Sequence, residues 1–132
     1  MTTPPVIQRW HQFIEGDAGA DSGPDVAELL APDAVFYSPA VFTPQEGRET
    51  TAKYLRAAAK VLGGPDFRYV NQWYGGCSAV LEFVANLDGI HVNGIDMITW
   101  DDDGLITEFK VMLRPFKALQ AVMPKMAELL AQ

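Results

Sequence analysis

A single cysteine, Cys77, and two histidines, His11 and His91, are all that the chain offers of the side chains that most often build disulfides and metal centres. One cysteine cannot close an intrachain disulfide. The histidines lie far apart and do not form a pair at ligand spacing, so no metal site is expected. The "DDDG" tract at 101–104 lacks the alternate spacing and terminal Glu of a calcium loop and reads as a solvated turn. Basic charge is also scarce. Ten Lys and Arg face seventeen Asp and Glu, giving a net charge of −7, and Lys53, Arg56, Lys60, Lys110, Arg114 and Lys117 are dispersed among acids. Such a surface repels phosphate backbones and anionic lipid, which argues against nucleic acid and membrane partners. Long apolar runs are missing too: nothing is long enough to span a bilayer, and "MTTPPVIQRWHQF" has no signal-peptide core. A cytoplasmic location is the expectation.

What remains is ordinary globular material. The 132 residues are 48% apolar, enough for one domain over 1–132 that buries about two-thirds of its unfolded surface. Val6, Ile7, Trp10, Phe13 and Ile14 recur at helical spacing, and "EGDAGADSGPD" ends that helix. Pro24 and Asp25 can open a short second helix reaching Leu30, followed by a strand "DAVFYSP" at 33–39 and a loop "AVFTPQEG". From Arg48 a clear apolar stripe runs through Thr51, Tyr54, Leu55, Ala58, Val61 and Leu62, closed by Gly63 and Gly64. Four strand-like runs follow: "DFRYVNQWY", "CSAVLEFVANL", "IHVNGIDMITW" and "LITEFKVML". They are separated by Gly75-Gly76, Asp88-Gly89 and Asp103-Gly104, so they read as an antiparallel meander. Phe116, Leu119, Met123, Met126 and Leu130 then mark a last helix, interrupted or kinked at Pro124.

Helices gathered on one side of a sheet make an α+β fold. The strands are apolar on both faces, as Ile90, Val92, Ile98 and Trp100 against Ile95 and Met97 show. Helices cover one face; a second copy of the chain is the simplest cover for the other, so a homodimer through the outer sheet face is expected.

Four words in this order carry a resemblance: "LLAPDAVFYSP", "GRETTAKYLRAA", "IDMITWDDDGLITEFKVM" and "LRPFKAL". With them the chain resembles the nuclear transport factor 2-like superfamily, in its SnoaL-like and ketosteroid-isomerase-like branches. That resemblance implies a cone-shaped, bent antiparallel sheet wrapped around helices (the cystatin-like shape), with an apolar pocket open at one end. It does not fix a function, because the fold hosts isomerases, hydrolases, cyclases, dehydratases and non-catalytic binders.

Ketosteroid-isomerase-like members use a protonated Asp and a Tyr at the oxyanion and a second Asp to move the proton. The resemblance places the protonated Asp on Asp96 in "IDMITW", the Tyr on Trp10 in "VIQRW" and the proton-moving Asp on Ser38 in "FYSP". Indole offers a donor only, and an unassisted serine hydroxyl has no useful basicity, so steroid isomerisation is disfavoured. The Asp–Arg–Asp set of limonene-epoxide-hydrolase-like members is incomplete as well: Gly94 stands where the Arg would be, and "KVML" holds no Asp.

Asp96 is therefore the candidate catalytic residue. Strand parity groups it with the inward set, and a carboxylate in an apolar site must pair or take up a proton. Trp10, His11, Tyr37, Ser38, Tyr54, Trp73, Phe83, Phe109 and Leu113 are the candidate contacts for a small, mostly apolar molecule. Two functions stay open: a cofactor-independent isomerase, cyclase, dehydratase or hydrolase using Asp96 as acid, base or hydrogen-bond donor, and a dimeric ligand-binding or sensing module without chemistry.

Overall fold

Three helices and a six-stranded sheet make up the chain, in a computed structural model that describes residues 2–15 and 25–131. The elements are α1 (Pro5–Glu15), β1 (Leu30–Tyr37), β2 (Gln45–Glu46), α2 (Arg48–Leu62), β3 (Arg68–Tyr74), β4 (Ser78–Leu87), β5 (Ile90–Trp100), β6 (Ile106–Arg114) and α3 (Phe116–Leu130), with one 3-10 turn at Val26–Leu29. No described helix is long and apolar enough to cross a membrane.

The sheet is curved and unclosed, in the order β2-β1-β6-β5-β4-β3. The meander from β3 to β6 is antiparallel throughout. β1 joins it in parallel, against β6, which makes the whole sheet mixed. That pairing joins strands far apart in sequence, and no local turn signal announces it. The short helix expected up to Leu30 is only the 3-10 turn, and β1 begins at Leu30 rather than at 33. Pro32 is tolerated there because the register shifts between Leu30 and Val35. The loop after β1 contains the two-residue β2 against Val35 and Phe36. The expected "EGDAGADSGPD" turn and the Pro24 helix start fall almost wholly on residues 16–24, outside the described ones.

Hydrophobic alternation sets each strand's faces. Ala79, Leu81, Phe83, Ala85 and Leu87 on β4, and Val92, Gly94, Asp96 and Ile98 on β5, all point inward. The turn between these strands is at Asp88-Gly89, both at positive φ, with Asn86 Oδ1 accepting from the Gly89 N–H at 2.9 Å. The acidic tract between β5 and β6 is a longer turn, with Gly104 at positive φ. Asp101 Oδ1 accepts from the N–H groups of Asp103 and Leu105 at 3.0 Å each.

One core lies between α1, α2, β1 and the inner face of the sheet, around Ile7, Leu55, Leu81 and Phe109. A second lies under α3, around Phe83, Leu87, Ala118 and Val122. Helix α2 is tied to β1: the buried Thr51 hydroxyl donates to the Ala34 carbonyl at 3.2 Å, and Arg48 Nε donates to the Leu30 carbonyl at 3.0 Å. Helix α3 runs on through Pro124 without an interruption.

Candidate active site

Asp96 stands on β5 opposite Leu81 of β4 and Val111 of β6. It is 5% exposed, and with Thr51 it is one of two buried polar residues among the described ones. The Tyr69 hydroxyl, from β3, donates to Asp96 Oδ2 at 2.5 Å, and Trp10 Nε1–H, from α1, donates to the Tyr69 oxygen at 2.7 Å. A chain of three groups thus runs from helix to carboxyl. Burial pushes the Asp96 carboxyl from the ordinary 3.8 up to about 7, with the Tyr69 hydrogen bond pulling the other way. Burial, and then the neighbouring Asp96 charge, hold the Tyr69 phenol well above its usual range. Tyr69 therefore remains a donor at any physiological pH.

Tyr69 is the site residue missing from the sequence candidates, and the register of β3 separates it from Trp73. Plain parity puts residues 69, 71 and 73 on one face. In β3, however, Tyr69 pairs with Phe83 while Asn71 already pairs with Glu82, the next residue of β4, so Val70 is an extra residue in the ladder. Beyond that bulge the faces are exchanged. Tyr69 turns inward, and Trp73 turns outward beside Val80, 55% exposed. Trp73 is consequently not a pocket lining.

Tyr37 is not a pocket lining either. It pairs with Lys110 on β6, whose Nζ lies 5.0 Å from the tyrosine ring centre on the outer face; its neighbour Phe36 is the buried one. His11 lines neither cavity described below. It packs edge-on against the Tyr69 ring at 5.1 Å, with Nε2 3.3 Å from Gln72 Oε1, and so sits behind the Trp10–Tyr69 link.

The other candidates divide between two cavities. The larger, ≈ 220 Å³, is bounded by α2, α3, β6 and the end of β1, and takes in Ser38, Tyr54 and Leu113. Its oxygen-bearing side chains among the described residues are those of Ser38 and Tyr54. Ser38 Oγ accepts from the N–H groups of Ala40 and Val41, at 3.1 and 3.3 Å, which leaves its own O–H to donate. Tyr54 stacks on Phe36 at 5.1 Å. The smaller cavity, ≈ 30 Å³, is where Asp96 faces, together with Trp10, Phe83 and Phe109. Asp96 and Ser38 thus open onto different volumes.

The chain as a whole is similar to known proteins. Residues 7–109 match the model of the SnoaL-like domain. The chain belongs to the SnoaL-like family. A steroid delta-isomerase from Pseudomonas aeruginosa has a solved structure with a TM-score of 0.85 at 38% identity, over 96% of this chain and 89% of that one. An uncharacterised cystatin-like protein from Silicibacter pomeroyi is 30% identical over 94% of this chain and 84% of that one, with a TM-score of 0.80. A putative SnoaL-like polyketide cyclase from Jannaschia sp. shares the fold at 16% identity, with a TM-score of 0.68 over 92% of this chain and 96% of that one. No curated protein matches the chain. Within the SnoaL-like family the steroid isomerase relationship therefore rests on a substantial identity, whereas the cyclase relationship is one of shape.

Proposed function

We propose that the protein is a cofactor-independent isomerase or cyclase of the SnoaL-like type, acting on a small apolar molecule with Asp96 as its acid and hydrogen-bond donor. The observation that carries this reading is the buried Asp96 carboxyl, held at Oδ2 by Tyr69 and facing an apolar void. With Oδ2 accepting from Tyr69, the proton of the neutral acid belongs on the other oxygen, where it can be given to a substrate. Trp10 and Tyr69 are positioning residues: they fix the carboxyl without touching the reacting atoms. The steroid isomerase relative supports the isomerase class. A general acid of this kind contributes about 10²–10⁴-fold. Asp96→Asn is expected to keep the fold and lower kcat/KM by that order in a screen of enones, epoxides and polyketide-like rings.

One observation favours a second reading, a binding module without chemistry. The lining of the larger cavity contains no carboxylate or imidazole among the described residues, so no second acid–base group faces a ligand there. Measurable ligand binding with no turnover by wild type, unchanged in Asp96→Asn, would favour this module and sink the enzyme.

A homodimer through the outer sheet face is proposed for either reading. Trp73, Val80 and Met97 lie side by side across β3, β4 and β5, and Ile95 faces Met112, itself 50% exposed. Such a patch suits a two-fold contact. Sedimentation is expected to show a dimer for wild type and a monomer for Met112→Glu. A monomeric wild type would rule the contact out.

A further inference from the structure

Along the sequence the basic residues are scattered among acids, but α2 gathers three of the ten on one face. Lys53, Arg56 and Lys60 stand three and four residues apart, the spacing that makes side chains neighbours on a helix. All three are exposed and line another cavity, ≈ 200 Å³, together with the buried Ala57 and with Leu129 of α3. This cavity shares no lining residue with either of the two above. The single acid of each helix, Glu49 on α2 and Glu128 on α3, lies outside its lining.

Arg56, the middle cation, is held in place. Its Nε donates to Asp25 Oδ1 at 3.3 Å, and its Nη2 donates to Oδ1 and Oδ2 at 2.9 Å each. That clamp sets the plane of the guanidinium and leaves the two N–H donors of Nη1 uncommitted. Lys53 and Lys60 make no ion pair among the described residues. Arg56 and Lys60 are like charges one turn apart, an arrangement that weakens a helix. An anion between them relieves that repulsion.

Charge, donors and size narrow the ligand. Three cations less the Asp25 carboxylate leave two positive charges, which match the roughly −1.5 to −2 of a phosphate monoester at neutral pH. Its three terminal oxygens also match three donor groups, whereas a carboxylate brings two oxygens and one charge. The cavity has an apolar part as well, in Ala57, Leu129 and the aliphatic stems of the lysines, which bare phosphate would leave uncovered. Its ≈ 200 Å³ exceeds the roughly 150 Å³ void that takes benzene. The net charge of −7 favours a small ligand. A polyanion or an anionic membrane would meet the acidic remainder of the surface, while charges beyond about 8 Å are largely screened from a small ester. We propose that this face of α2 is a binding site for a small organic phosphate monoester. Arg56 and the two lysines take the phosphate oxygens, and the organic group lies on Ala57 and Leu129. The site stands apart from the Asp96 reading and does not depend on it.

The test titrates the protein calorimetrically with phenyl phosphate, phenyl sulfate and inorganic phosphate, at low salt and above the second phosphate pKa of about 6. Wild type is expected to bind phenyl phosphate about tenfold more tightly than phenyl sulfate, which has the same shape and a single charge. A similar margin is expected over inorganic phosphate, which lacks the ring. Lys53→Gln and Lys60→Gln should each weaken phenyl phosphate about tenfold, the worth of one charge-assisted hydrogen bond. Both side chains are exposed, so these variants fold. Raising the salt concentration should weaken wild-type binding in the same direction. Undiminished binding by the Lys53→Gln/Lys60→Gln double variant places the ligand elsewhere and overturns the site. Equal affinity for phenyl sulfate overturns the match to a dianion, and equal affinity for inorganic phosphate overturns the organic ester. Binding of none of the three overturns the proposal outright.

Discussion

Asp96→Asn is expected to be more stable than wild type above pH 7, by roughly 4 kcal/mol, and indistinguishable from it near pH 3. In the folded protein burial holds the carboxyl near 7, against an ordinary value of 3.8. Below the lower value both folded and unfolded chains carry the proton, and Asp96 has no effect on the pH dependence. As the pH rises from about 4 to 7 the unfolded chain releases its proton first, so wild type loses stability over that interval; above 7 the loss is complete. The asparagine variant has nothing to titrate and still accepts from Tyr69. Comparing the two by urea unfolding cancels the other sixteen acids, which share the same background. Activity should follow the neutral acid and decline as the pH rises through about 7. Tyr69→Phe removes the hydrogen bond that lowers the Asp96 value, so the midpoint should move further upward. A constant stability difference from pH 3 to 9 would mean that the carboxyl titrates normally.

The second large effect is expected at Phe83. It is 1% exposed, packs on Phe67 at 5.2 Å and on the Tyr69 ring at 6.2 Å, and walls the void beside Asp96. Gly94 makes room for it across the ladder, where a methyl group would stand 2.5 Å from the Phe83 ring and 2.7 Å from the Met112 carbonyl. Phe83→Ala should cost about 3–5 kcal/mol, the sum of lost transfer energy and the cavity left behind. It should also admit water to Asp96 and return that carboxyl toward its ordinary value. Urea unfolding measures the first effect and the pH profile the second. A cost below about 1 kcal/mol would show a site able to collapse around the deletion.

How far the site could be read in advance depended on where the strand period holds. Through β4 and β5 the alternation is unbroken, so Asp96 could be assigned to the inner face from sequence alone, and it is found there. In β3 the extra residue at Val70 breaks the period, so Trp73, which shares plain parity with Tyr69, lies on the opposite face from it. The outward placing of Tyr37 is not legible locally, because β1 alternates poorly and its partner strand is β6, where Lys110 stands 73 residues further along the chain. Nothing local encodes that pairing, nor the two-residue β2. The partition into two cavities was equally hidden, because the residues lining both, Ala58, Leu62 and Val111, come from α2 and β6, which are far apart in sequence.

The bulge at Val70 has one more consequence, because β3 is the last strand on its side of the sheet. A free strand edge is a template for another chain, and a bulge spoils the template by twisting the backbone and breaking its regular row of donors and acceptors. The irregularity that delivers the Tyr69 hydroxyl to Asp96 therefore also guards the protein against edge-to-edge aggregation. A change that smoothed β3 would put Tyr69 and Trp73 on one face and expose a sticky edge in the same step.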